Sequence, residues 1–124
     1  MLCQYENTEK EMNDQRWDAD RLLRSLGATG RLVGFKYVVY IVEELLLAPY
    51  ELHWLAKCVY RETGARFHVS YDSVDRAIRD VVKHCWAKKD HTQLDKVAGY
   101  HLDSRPSGTV FIDMLVAFLK YENH

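Results

Sequence analysis

CVYRETGARFHVSYDSVDRAIRDVVKHCW, residues Cys58 to Trp86, reads by period as two helices joined by a break too short for anything but a sharp bend. Val59, Thr63 and Phe67 recur at i, i+4 and i+8, one stripe of a first helix. Gly64 lies on that helix where a second helix crossing at close range tolerates little side chain. His68, Val69 and Ser70 make the break, and the Ser70 hydroxyl is placed to cap a second helix by accepting from the free amide of Ser73. Val74, Ile78, Val81/Val82 and Cys85 then fall on one inward stripe. A small residue in helix one, an apolar one in the turn and an apolar one five later form the helix-turn-helix pattern, whose second helix enters the DNA major groove. A packing corner without any ligand has the same pattern, so the period leaves both readings open.

With Val74, Ile78 and Val81/Val82 inward, the residues facing away are Asp72, Ser73, Asp75, Arg76, Arg79, Asp80 and Lys83. The formal net charge of the chain is −1, which argues mildly against nucleic acid, but the average hides an asymmetry. Residues 1–20 carry six acids against two bases, whereas residues 57–89 carry eight bases against four acids. The positive surplus therefore sits on the helical pair, as phosphate binding needs; a solvated helical face gives the same count.

Three separated motifs then point to a family. Gly34-Phe35-Lys36-Tyr37-Val38, Val74-Asp75-Arg76-Ala77-Ile78-Arg79 closing on Trp86, and Arg105-Pro106-Ser107-Gly108-Thr109-Val110-Phe111-Ile112 stand in order over about a hundred residues. In all three the chain resembles the C-terminal DNA-binding effector domain of the stage 0 sporulation protein A family. The resemblance implies an all-α, winged-helix-like DNA-binding fold, with DNA contacts from the first turns of the second helix and from the loop before the last. Carried over by position, Arg76 matches a family arginine suited to a guanine edge. Asp75 replaces a glutamate and could accept from cytosine or orient Arg76. Arg79 is matched as well, with an ion pair inside the domain as its other role. Ser73 stands in place of a base-reading arginine and Asp80 in place of a histidine near the backbone. Base contacts are thus expected from Ser73, Asp75 and Arg76. Backbone or flanking contacts are expected from Ser70, Asp72, Arg79, Asp80, Lys83, Arg105, Ser107 and Gly108. Arg105 beside the helix opened by Ser107 and Gly108 forms a phosphate clamp. The family's phosphorylatable receiver has no counterpart in these residues, so control by aspartyl phosphorylation within the chain is not expected.

Outward from that core the chain reads as about six helices, all-α, around one core. Residues 1–13 are polar and acidic and expected to form a flexible tail, with one domain over 14–124. Asp14 is placed to cap a first helix carrying Trp17, Arg21/Leu22 and Leu26, ended by Gly27. Residues 37–42, YVVYIV, are rich in strand formers, but Leu32, Phe35, Val39, Val42 and Leu46 repeat at helical spacing, and helix is the expectation. Pro49 can open a helix reaching Tyr60, with Trp54 and Leu55 inward. Thr92 caps a short helix stopping at Gly99. Ser107 caps the last, with Phe111, Met114/Leu115 and Phe118 as its stripe, and Leu119 and Tyr121 as exposed apolar residues for a homodimer.

At 124 residues with 48% hydrophobic and 28% charged residues, the chain has the composition of an ordinary globular domain. No window approaches a membrane span, and the N-terminus is unlike a signal peptide, so a cytoplasmic place is expected. Cys3, Cys58 and Cys85 lack C-x-x-C spacing, and His53, His68, His84, His91, His101 and His124 lack a ligand spacing. Neither a metal, a cofactor, a small-molecule substrate nor catalysis is expected. The leading reading is a sequence-specific DNA-binding transcriptional regulator acting on double-stranded DNA. The alternative is a degenerate effector-like domain that lost strong DNA contacts at Ser73 and Asp80 and now binds protein.

Overall fold

The computed structural model describes residues 16–47 and 58–122, which form six helices and no strand. They are α1 (Ala19–Ser25), α2 (Val33–Leu45), α3 (Tyr60–Phe67), α4 (Tyr71–Trp86), α5 (Thr92–Ala98) and α6 (Gly108–Glu122). The acidic tail, the Asp14 cap, His53 and the Pro49 helix with Trp54 and Leu55 lie outside the described residues. Cys58 and Val59 enter α3 through a wider i→i+5 turn, so the helix running from Val59 is found nearly as read.

Local chemistry accounts for the ends. Asp18 caps α1, its Oδ1 accepting from the Arg21 amide at 2.7 Å. The inward face of α1 is Ala19, Leu22 and Leu23; Arg21 points to solvent, because two adjacent leucines cover more apolar surface than one leucine beside a cation. The segment rich in strand formers is helical. Its buried face is Phe35, Val38, Ile41, Val42 and Leu45, centred beside the expected stripe, with Leu32, Val39 and Leu46 half-buried. Thr92 opens α5 one place inside the helix instead of capping it; Asp90 Oδ1 accepts from the Thr92 amide at 2.9 Å. Ser107 does cap α6, accepting from the Val110 amide at 3.3 Å through its hydroxyl and from the Phe111 amide at 2.9 Å through its carbonyl.

The core is built around α6 and α4. Seven residues of α6 are buried, namely Phe111, Ile112, Met114, Leu115, Val116, Phe118 and Leu119, and the helix packs against α1, α2, α4 and α5. A helix apolar on nearly every side belongs inside a domain. Leu119 is therefore not part of an exposed apolar surface: it is 1% exposed, and Tyr121 alone of that pair reaches solvent. α4 buries Val74, Ala77, Ile78, Val81, Val82 and Cys85 against α2, α3 and α6. Burial pushes the Cys85 thiol up to about 11, so it stays protonated and packs as a small apolar group.

Two glycines fix where α4 lies. At Gly34, on α2, a Cβ would collide with the Ala77 carbonyl and approach Val81 Cγ2 at 2.9 Å, so α2 and α4 cross almost backbone to backbone. At Gly64 a Cβ would come 2.5 Å from the Val69 carbonyl oxygen. The space Gly64 leaves is thus taken by the turn itself, not by the helix beyond it. His68 ends α3 in the left-handed region at φ 61°, its amide and that of Val69 both donating to the Gly64 carbonyl. This double closure bends the chain within three residues and restarts it at Ser70.

Candidate nucleic-acid interface

The Ser70 hydroxyl accepts from the Ser73 amide at 3.1 Å and bonds the Ser73 hydroxyl at 3.0 Å. Capping lets α4 begin abruptly, with Asp72, Ser73, Arg76, Arg79, Asp80 and Lys83 on its exposed side and Asp75 half-buried. Ser73, expected at a base, has its hydroxyl held by the cap. Ser70 and Asp72 sit at the end of α4 and line neither of the two grooves beside it.

The first groove, about 610 Å³ in volume, runs between α4 and the segment entering α6. Asp75, Arg76, Arg79, Asp80 and Lys83 line one side, and Arg105, Ser107 and Gly108 the other. Eight of the eleven residues singled out from the sequence therefore meet in one place, from walls 22 to 33 positions apart in the chain. Four cations face two carboxylates there, which leaves the groove positive. Tyr60, Tyr71 and Thr109 also line it and were not among the expected contacts. Tyr71 was legible as the first residue of α4. Tyr60 carried no signal, since only tertiary packing brings α3 beneath α6.

Arg79 Nη2 pairs with Asp75 Oδ2 at 3.0 Å. Asp75 thus steadies Arg79, one helical turn on, and not Arg76. The Arg79 side chain remains 66% exposed. A pair this open contributes only ~0.2–1 kcal/mol, so a phosphate can replace the carboxylate at small cost. Arg76 is exposed.

The second groove lies on the other flank of α4, between Ser73, Arg76 and Asp80 and the start of α2 at Arg31 to Gly34. No side chain caps α2, whose N-cap residue is Leu32. Arg31 was not singled out from the sequence; an arginine three residues before the close-crossing Gly34 is the signal that could have found it. Arg76 and Asp80 border both grooves.

The segment that carries Arg105 is tied down by α5. Asp95 Oδ1 accepts from the Leu102 amide at 3.0 Å and Oδ2 meets His101 Nδ1 at 2.8 Å. The Leu102 amide and His101 hold the Asp95 carboxyl below the usual carboxylate range, and Asp95 raises His101 above the ordinary imidazole value. Among the described residues no group of three His, Cys, Asp or Glu could hold a metal ion, and no helix is long and apolar enough to cross a membrane.

Residues 19–119 match the family model described as sporulation initiation factor Spo0A C terminal, from the first residue of α1 to the last turn of α6. The chain belongs to the Spo0A C-terminal family. That family is one of DNA-binding effector domains of transcription factors and not an enzyme family. The match covers both walls of the first groove and the corner before α4, so the positive face lies wholly within the Spo0A C-terminal domain.

Proposed function

We propose that this chain is a sequence-specific DNA-binding transcriptional regulator, with one domain over 14–124, that seats α4 in the major groove of double-stranded DNA. The single observation that carries the reading is the groove in which Arg76, Arg79 and Lys83 of α4 face Arg105 and the start of α6. A helix carrying exposed arginines reads base edges, and an arginine beside a second helix start holds the adjoining phosphates. Arg76 is assigned to a guanine edge; Arg79, Lys83, Arg105, Ser107 and Gly108 are assigned to the backbone, with Ser70, Asp72 and Asp80 flanking. Ser73 and Asp75 are assigned to base contacts beside Arg76. The work of such a protein places it with the DNA, in the cytoplasm, and two copies on paired boxes would bind with added avidity.

Selecting bound sequences from a random duplex pool tests this reading. A common motif should emerge, and Arg76→Ala should lose ~1–3 kcal/mol of discrimination at one base of it. Arg105→Ala should weaken all sequences alike and flatten the salt slope by about one. Recovery of no motif, or wild-type behaviour from both variants, would refute the assignment.

Asp80 favours a second reading, since a carboxylate at the edge of both grooves repels phosphate. On that reading the face binds a protein. Duplex DNA would then bind weakly at any sequence, with no effect of Arg76→Ala.

A further inference from the structure

Three cations of the first groove have no carboxylate to answer them. Arg76, Lys83 and Arg105 are exposed, and none has an ion-pair partner among the described residues. Arg79 has one, Asp75, in a pair open enough to exchange. Asp75 and Asp80 offset part of the charge, and the surplus stays positive. Two walls of like charge repel across the groove, so it draws an anionic occupant.

The chain carries such an occupant itself. Residues 1–15 hold Glu6, Glu9, Glu11 and Asp14 against Lys10 alone. The next acids, Asp18 and Asp20, are already engaged at α1, one as its cap and the other with Arg24. Length fits as well as charge. The segment joins the described structure at Arg16, and the Trp17 ring lies 5.9 Å from that of Phe118, ten residues along α6 from Gly108. Ten residues of helix span about 15 Å. Glu6, Glu9 and Glu11 stand five to ten residues before Arg16, a reach of up to roughly 17–35 Å in extended chain. The three glutamates can therefore arrive at the Arg105 wall. A tether this short gives them an effective concentration on the order of millimolar, so weak pairs suffice.

We propose that residues 6–11 seat their glutamates in the groove between α4 and the start of α6, pairing with Arg76, Lys83 and Arg105 in a contact within the chain that competes with duplex DNA. The contact rests on the groove alone; its regulatory consequence rests on the DNA-binding reading. The acidic segment lowers affinity for every sequence alike. What it removes first is weak, purely electrostatic binding, which has no base contacts to set against the lost phosphate pairs.

The test is paramagnetic broadening in the full chain without DNA, with a nitroxide on Cys3 in a Cys58→Ser background. Cys85 is buried and stays protonated, so it does not take the label. At low salt the amides of Arg76, Lys83 and Gly108 should broaden, and those of Glu43 and Glu44, on the acidic end of α2, should not. Glu6→Gln, Glu9→Gln and Glu11→Gln together should abolish the broadening, as should 1 M salt, where the Debye length is about 3 Å. The same triple variant, unlabelled, should shift the groove amides relative to wild type. Broadening spread evenly over the surface, or unchanged in the triple variant, overturns the contact. In a duplex DNA titration at low salt the triple variant should bind about fivefold more tightly, as expected when exposed charge pairs no longer compete. Groove broadening that needs the glutamates, with no DNA binding by either protein, upholds the contact and removes the DNA reading. DNA binding with the groove amides left sharp does the reverse.

Discussion

His68 and Asp80 show how much single positions decide here. His68 is the one non-glycine residue with positive φ among the described residues, and it sits at the hinge between α3 and α4. A left-handed conformation is disfavoured by roughly 1–2 kcal/mol for a residue with a Cβ, and more so for a branched one. His68→Val should accordingly lower stability by about 1–2 kcal/mol in chemical denaturation, while His68→Gly should not destabilise. Asp80 is exposed at the border of both grooves. If those grooves receive phosphates, Asp80→Asn should tighten binding to duplex DNA about two- to fivefold, as expected for an exposed charge pair. Equilibrium titration at fixed salt measures it. Ser73 was legible as an outward residue, and its place in the cap was legible from Ser70. That one hydroxyl would serve both was not, because the spacing of three residues shows reach but not which hydroxyl the proton goes to.

At the level of elements, α4 was readable almost residue by residue. Val74, Ile78, Val81, Val82 and Cys85 are all buried, and the Ser70 cap bond is formed. Both are local consequences of helical period and free amides. The placement of α4 was not local. It depends on Gly34, 43 residues before Ala77, and no period links the two. Gly34→Ala should destabilise by about 1–3 kcal/mol, since the obstacle is backbone and cannot rotate away; thermal unfolding measures it. The segment bearing Arg105 hangs on Asp95, which is half-buried, and on His101, which is exposed. His101 has a raised value, so its pair with Asp95 stabilises fully below the unfolded imidazole value, about 6.5, and fades as pH rises through the higher folded value. Asp95 has a lowered value, so its own contribution holds above the unfolded carboxylate range and is lost on acidification through the folded value. The stability lost in Asp95→Asn should therefore shrink between pH 6 and pH 9, and the imidazole titration of His101 followed by NMR should move down in that variant.

Over the whole molecule, the all-α class and the order of helices followed from period and punctuation, and the ambiguous apolar run resolved as helix because its face continues for three turns. What misled was α6. Its composition promised one stripe, whereas four helices surround it and bury Leu119 as well. Whether an apolar residue near a chain end is core or surface depends on neighbours that come from elsewhere in the sequence. The candidate interface was legible in its residues and not in its shape. Three motifs named the side chains, but only the fold brings Arg76 and Arg105 to facing walls and puts Tyr60 beneath them.

The claim on which the rest depends is that this positive face holds the DNA backbone while Arg76 reads a base. It is tested most directly by the affinity for duplex DNA measured against salt, in wild type and in an Arg79→Ala, Arg105→Ala double variant. Neutralising at least three or four phosphates predicts a log–log slope of about −3 or steeper, shallower by roughly two in the variant. A slope near zero, or the same slope in both proteins, would contradict it.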